Sequence, residues 1–195
     1  MASVAESGIA HKLLVAAVRL FAQKGYPATT TREIVEAAGV TKPMLYYYFQ
    51  NKEGLLKAAM EHFLDMFYQR LRQVASEPRE PREHLAELVW AHFEYCLDHK
   101  PLARLFYALY FGPDDQKHLV DLQKYADQTE DLLDQGVARA VAARLVRADC
   151  DADFSMALRG MINIWVMAAL NKEAELNVEL ARKVVDDLLR GYQNC

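Results

Sequence analysis

The stretch from Thr29 to Lys52, TTTREIVEAAGVTKPMLYYYFQNK, constrains this chain more than any other, because its caps and breakers spell two short helices joined by a tight turn. Thr30 and Glu33 have the spacing of a capping box, in which the threonine hydroxyl accepts from the Glu33 amide and the glutamate accepts from the Thr30 amide. This predicts a helix from about Thr31. Ile34, Val35, Ala37 and Ala38 give it a buried face, and Gly39 stands where a left-handed residue would end it. Thr41 is placed to cap a second helix. Pro43 falls in that helix's first turn, where a missing amide hydrogen costs nothing.

Each step along the second helix rotates the side chain by about 100°. Leu45 and Phe49 therefore share one face and make the core contact, Pro43, Met44 and Tyr47 project from the opposite side, and Tyr46 and Tyr48 flank that outward face. A helix entering the DNA major groove needs apolar groups for thymine methyls, donors for base edges, and hydroxyls or cations at its margins for phosphates. Lys42, Met44 and the three tyrosines meet that description, so the motif reads as a DNA-binding helix-turn-helix. The alternative is a tyrosine patch that packs on a neighbouring domain. Upstream, Leu13, Leu14, Ala17, Leu20 and Phe21 recur at helical spacing and predict an amphipathic first helix ending near Gly25, which gives a three-helix unit its own core. Residues 1 to about 8 are expected to fray.

From Leu13 to Phe63 the sequence resembles the amino-terminal domain of the tetracycline-repressor (TetR) family of bacterial transcription regulators. The matching elements are AAVRLFAQKGY in the first helix, TT followed by Ile34, then AAGVTKPMLYYYF and finally NKEGLL. Many members carry a small residue where Met44 stands and a histidine where Tyr48 stands. The resemblance implies that Thr30, Thr31, Tyr46, Tyr48 and Lys52 contact phosphates, while Arg32, Lys42, Pro43, Met44 and Tyr47 lie near base edges.

A net charge of −4 at first argues against a nucleic-acid partner. Its distribution removes the objection: residues 1–52 carry six Lys or Arg against three Asp or Glu, and residues 53–195 carry 17 against 24. A basic head is attracted to phosphates while an acidic body is repelled, which orients the molecule on DNA. Cys96, Cys150 and Cys195 are odd in number and widely spaced, so they are read as reduced rather than as a disulfide framework or a CxxC zinc site. With no long apolar run and no export signal, the expected location is cytoplasmic.

Beyond Lys52 the sequence reads as consecutive helices. Asn51 can cap a long helix to about Ala75, the SEPREP segment is a surface connection, and helices follow at about 82–99, 101–111, 114–147, 152–170 and 177–193, with a kink or division near Gly136. Pro101 suits a first turn, and Gly112-Pro113-Asp114 reads as a turn. The expected fold is all-α, with about nine helices: a helix-turn-helix domain over 1–52 and an effector-binding and dimerisation domain over 53–195.

Phe154, Leu158, Met161, Ile162, Ile164, Trp165, Met167 and Ala168 go nearly all round their helix, so it must be covered on more than one side. The final helix offers a second stripe, and the two could build a four-helix bundle across a twofold axis or serve as core of one large domain. The resemblance implies a homodimer, with Phe154, Leu158, Met161, Trp165, Val184 and Leu188 as candidate interface residues. Large adaptable side chains predict a mostly apolar effector pocket with a few polar anchors. Its candidate residues are Phe63, Phe67, His92, Phe93, Tyr107, Tyr110, Gln123, Met161, Asn163 and Trp165.

The expected function is that of a repressor that binds double-stranded operator DNA and is released by a small organic effector, with no cofactor and no membrane partner. Two alternatives stand beside it. His92, Cys96 and His99, at i, i+4 and i+7, could present nitrogen and sulfur to a sensed metal, although His92 and Cys96 also continue an apolar series. An all-helical, magnesium-dependent enzyme would use Asp114-Asp115 or Asp186-Asp187, but neither pair extends to a DDxxD spacing.

Overall fold

Prolines, a γ-turn and left-handed caps punctuate a chain that is otherwise helical over the residues described by the computed structural model, 8–112 and 120–192. Among these residues there are nine helices and no strand: α1 Gly8–Lys24, α2 Thr31–Ala38, α3 Lys42–Phe49, α4 Lys52–Ser76, α5 Pro81–Asp98, α6 Lys100–Tyr110, α7 Leu122–Ala142, α8 Asp151–Leu170 and α9 Val178–Tyr192. The expected fraying before Gly8, the Pro113-Asp114 turn, the Asp114-Asp115 pair and Cys195 lie outside the described residues. No described helix is long and apolar enough to cross a membrane.

The chain divides into two compact units, Met1–Met66 with His99–Gln123 and Phe67–Asp98 with Lys124–Cys195. In the first, α1 packs on α2, α3 and α6. Its core is built from Leu13, Ala17, Phe21, Ile34, Leu45, Phe49, Leu55 and Leu56, all buried. In the second, α5 packs on α8 and α9, and α8 on α9, around Leu85, Leu88, Phe93, Phe154, Leu158, Ile162, Val184 and Val185. Each large side chain removed from water contributes about 1.5–3 kcal/mol, which is what holds short helices such as α2 and α3 in place.

The helix ends are where sequence and structure differ. The Thr30 capping box forms as expected, and Gly39 takes the left-handed conformation at φ 64°. Thr41 occupies the N-cap position of α3 but makes no side-chain capping hydrogen bond, leaving Pro43 as that helix's start signal. α7 stops at Ala142 rather than near 147. There Arg144, at φ 61°, donates its amide to the Val141 carbonyl, while the Leu145 amide reaches the Ala140 carbonyl. This is a Schellman ending with arginine in the position usually held by glycine, so the sequence carries no stop signal. Gly136 does not break α7. A Cβ there would lie 3.0 Å from Leu88 Cδ1 and 3.1 Å from Leu85 Cδ2, so the glycine admits α5 at close range.

The tightest backbone lies between α3 and α4. Gln50 alone reverses the chain at φ 64°, ψ −44°, and the Asn51 amide donates to the Phe49 carbonyl across 2.7 Å, forming a positive-φ γ-turn, a rare and strained arrangement. Asn51 then caps α4, its Oδ1 accepting from the Gly54 amide at 2.7 Å. A Cβ on Gly54 would stand 2.2 Å from the Phe49 carbonyl oxygen. Substitutions at these two positions therefore act in opposite directions. Gly54→Ala, which in an open helix would gain about 1 kcal/mol, should here cost roughly 2–4 kcal/mol because the turn must open. Gln50→Gly should gain about 1 kcal/mol by relieving the positive φ. Urea unfolding of both variants beside the wild type measures the two signs.

Candidate nucleic-acid interface

The core residues of α3 fix which way its other face looks. Leu45 and Phe49 are buried, whereas Lys42, Pro43, Met44 and Tyr46 are exposed and Tyr47 is 81% exposed. Tyr48 is half-buried, with its ring edge-on to Tyr47 at 5.0 Å and tilted against Phe49 at 6.1 Å. The Lys42 ammonium stands 5.7 Å over the Tyr46 ring, a spacing that favours a fixed cation at the start of the helix. The helix thus presents a cation, a thioether and phenol hydroxyls outward, with an aromatic buttress behind them.

The first turn of α2 adjoins this face. Thr30 is exposed, and its hydroxyl and amide are engaged with Glu33 Oε2 at 3.0 and 2.9 Å. Thr31 is half-buried, and exposed Arg32 pairs with Glu36 at 2.8 Å. Glu33 also accepts from the Lys24 ammonium of α1. That ammonium and the Thr30 donors hold the Glu33 carboxyl down at about 2, well below the usual glutamate range. One carboxylate therefore fastens the end of α1 to the start of α2.

Lys52 has more internal bonding than its sequence position suggests. Its ammonium donates to the Tyr26 and Thr29 carbonyls, each at 3.0 Å, and lies 4.3 Å over the Tyr26 ring. Two of its three donors brace α4 against the α1–α2 turn, which leaves one for any phosphate. Sequence patterning does not single out Tyr26 for this part. Its only local signal is its place in a Gly-Tyr-Pro turn.

The other expected site residues separate between the two units. Phe63, Tyr107, Tyr110 and Gln123 belong to the first, and Phe67, His92, Phe93, Met161, Asn163 and Trp165 to the second. Phe93 is fully buried, so it is core and offers no surface to a ligand. Phe154, Leu158 and Val184 are likewise covered within the chain itself, which removes them as interface residues: the stripe that sequence patterning assigns to a partner is packed against α5 and α9. Trp165 falls within about 20° of Phe154 and Leu158 in helical projection and so looks inward as well. The apolar residues of α8 that remain exposed are Met156, Ile164 and Met167.

For the metal alternative, burial pushes the Cys96 thiol up to about 12 and His92 down to about 4. Among the described residues no group of three or more His, Cys, Asp or Glu converges where a metal could be held. A cleft of about 190 Å³ on the second unit is lined by Glu80, Arg82, Glu83, Ala86, Arg182 and Asp186. Four of its five charged side chains are already paired, Arg82 with Asp186 at 2.6 Å and Arg182 with Glu83 at 2.9 Å.

The segment that builds the α2–α3 surface and its junction with α4 also carries a family signature: residues 13–59 match the sequence model described as bacterial regulatory proteins, tetR family. This amino-terminal segment is that of the tetR family. It is 28% identical over 188 residues to the HTH-type transcriptional regulator YerO of Bacillus subtilis, an alignment covering 92% of this chain and 64% of that one. It is 32% identical over 114 residues to the HTH-type transcriptional repressor KstR2 of Mycolicibacterium smegmatis, covering 58% and 53%. The chain thus spans about half to two thirds of the length of these HTH-type relatives. The fold is also that of the transcriptional regulator FadR from Bacillus subtilis in complex with stearoyl-CoA, with a TM-score of 0.78 at 21% identity over 93% of this chain and 98% of that one.

The Lys24–Glu33–Thr30 linkage makes the tetR-type head sensitive to acid in a defined direction. Because the Glu33 carboxyl is depressed in the folded state, its contribution is complete above the ordinary glutamate range and fades as the pH falls from about 4.5 toward about 2. Glu33→Gln should narrow its stability gap to the wild type over that window, as followed by urea midpoints at successive pH values. Thr30→Ala should cost about 1 kcal/mol near neutrality.

Proposed function

We propose that this chain is a transcriptional repressor that reads a twofold operator as a homodimer and is released by a small, largely apolar effector. The observation that carries the reading is the outward face of α3, where Tyr47 and its neighbours stand clear of a helix whose opposite face is core. In this reading Lys42, Pro43, Met44 and Tyr47 meet base edges with Arg32 beside them, and Thr30, Thr31, Tyr46 and Tyr48 meet phosphates. Lys52 mainly holds the head in shape, with its remaining donor available to the backbone. The likeness to KstR2, a transcriptional repressor, supports the sign of the regulation, and the cytoplasm is where such an operator lies.

Dimerisation rests on α8. Met156, Gly160, Ile164 and Met167 fall within an arc of about 80° in helical projection. Met156 is 65% and Ile164 57% exposed, an apolar stripe that a second copy would cover. Half-buried Met161 and Leu188 are its candidate margins. Two heads joined in this way would engage half-sites about 34–36 Å apart. An effector acts through α4, which is one helix although Met66 ends its share of the first unit and Phe67 begins its share of the second. A ligand that prefers one position of the Phe67–Ser76 portion biases the portion fastened to the reading head, and a hundredfold preference is worth about 2.7 kcal/mol. Stearoyl-CoA, with which FadR of Bacillus subtilis forms its complex, supports an apolar chain bearing a polar group as the effector class.

Binding selections test the reading. Tyr47→Ala should cost about 1–3 kcal/mol of operator affinity and change the preferred site, whereas Tyr46→Phe should weaken all sequences alike. An unchanged site and affinity in Tyr47→Ala would remove α3 as the reading helix. Ile164→Glu should give monomers in sedimentation equilibrium, with operator affinity falling in parallel. A dimer that survives that change has its interface elsewhere.

A further inference from the structure

Three side-chain nitrogens in the second unit are shielded from solvent and have no partner among the described residues: Arg79 Nη1, whose guanidinium pairs through Nη2 with Glu77 and Glu87, His92 Nδ1 on α5 and Trp165 Nε1 on α8. A buried polar group left unpaired costs about 1–3 kcal/mol, so such atoms call for an occupant. His92 and Trp165 are each half-buried as residues, although these nitrogens are covered. His92 lies between the buried Leu88 and Cys96 at i−4 and i+4, with its ring edge-on to Phe67 at 4.8 Å. Trp165 shares the direction of Phe154 and Leu158, and α5 and α8 pack on one another.

Resting on the reading of an effector-released regulator, we propose that His92 Nδ1 and Trp165 Nε1 are the polar contacts of the effector, and that the effector is an apolar molecule carrying a neutral carbonyl oxygen. An indole N–H only donates, so the ligand must bring an acceptor, and an ammonium group, which has none, is excluded. The imidazole cannot serve as a counter-ion for a carboxylate, because burial among Phe67, Leu88 and Cys96 keeps it neutral at physiological pH. A carbonyl oxygen, as in ketones, esters and thioesters, supplies that acceptor without a charge and accepts from the indole. In the tautomer protonated at Nδ1 the imidazole offers the ligand a second donor.

The test uses the full-length protein labelled with nitrogen-15, in which Trp90→Phe assigns the indole signal of Trp165. The probes are methyl ketones of eight to fourteen carbons, each beside the alkane and the primary amine of equal length. A ketone of fitting length should move the Trp165 indole proton downfield and raise the melting temperature, while the alkane leaves that resonance in place and the amine fails to bind. Trp165→Phe and His92→Phe, which keep an aromatic ring, should each bind the ketone about tenfold more weakly and the alkane as before. Ketones that bind no better than alkanes, that bind without moving the indole signal, or that do not bind at all overturn the proposal. Operator affinity measured on the same samples separates the two readings. Release from DNA without an indole shift retains the regulator and removes the anchors, and an indole shift without release does the reverse.

Discussion

The bond between the Lys52 ammonium and the Tyr26 and Thr29 carbonyls is the constraint on which the reading head depends. α2 and α3 are eight residues each, too short to persist alone, and they hold their angle only because both ends of the pair are tied to longer helices. At one end Glu33 joins α2 to α1 through Lys24 and the Thr30 cap. At the other, the Gln50 γ-turn and the Asn51 cap deliver the chain into α4, and Lys52 returns to the turn that precedes α2. The loop of connections closes on itself. Any movement of the first turn of α4 is therefore felt at both termini of the helix pair.

Much of the head is legible in the sequence for the same reason: its punctuation is chemical. A capping box, a glycine at a left-handed position and a proline in a first turn each have one dominant structural use, and α2 and α3 begin and end within a residue of where those signals stand. The end of α7 is harder. Arg144 occupies a left-handed position with φ 61°, where packing overrides the preference for glycine, and a basic residue near a helix end reads as ordinary helix. Gly136 misleads in the opposite way, because a glycine that admits a neighbouring helix looks in sequence like a breaker.

The candidate ligand and interface residues are the least legible. Hydrophobic periodicity identifies which faces are apolar but not what covers them, so Phe154, Leu158 and Val184 read as interface when they are core, and Phe93 reads as lining when it is packed. What distinguishes α8 is the second, opposite stripe of Met156, Ile164 and Met167. His92 and Trp165 are visible as residue types, but their unpaired nitrogens belong to tertiary structure alone.

The separation of the two faces of α3 bears on how such a protein can diverge. Tyr47 touches its surroundings chiefly through one edge-on ring, whereas Leu45 and Phe49, on the other face, are enclosed by the core. On the proposed reading, mutations at the outward positions are screened by what the head binds and scarcely at all by whether it folds. A duplicated copy could drift through many Tyr47 and Met44 replacements while remaining folded, so new operator preferences are reachable by single steps with no loss of the scaffold between them. Gly54 at the α3–α4 junction has no such latitude, because any Cβ there meets the Phe49 carbonyl oxygen, and lineages that part in sequence on the outward face are expected to keep it.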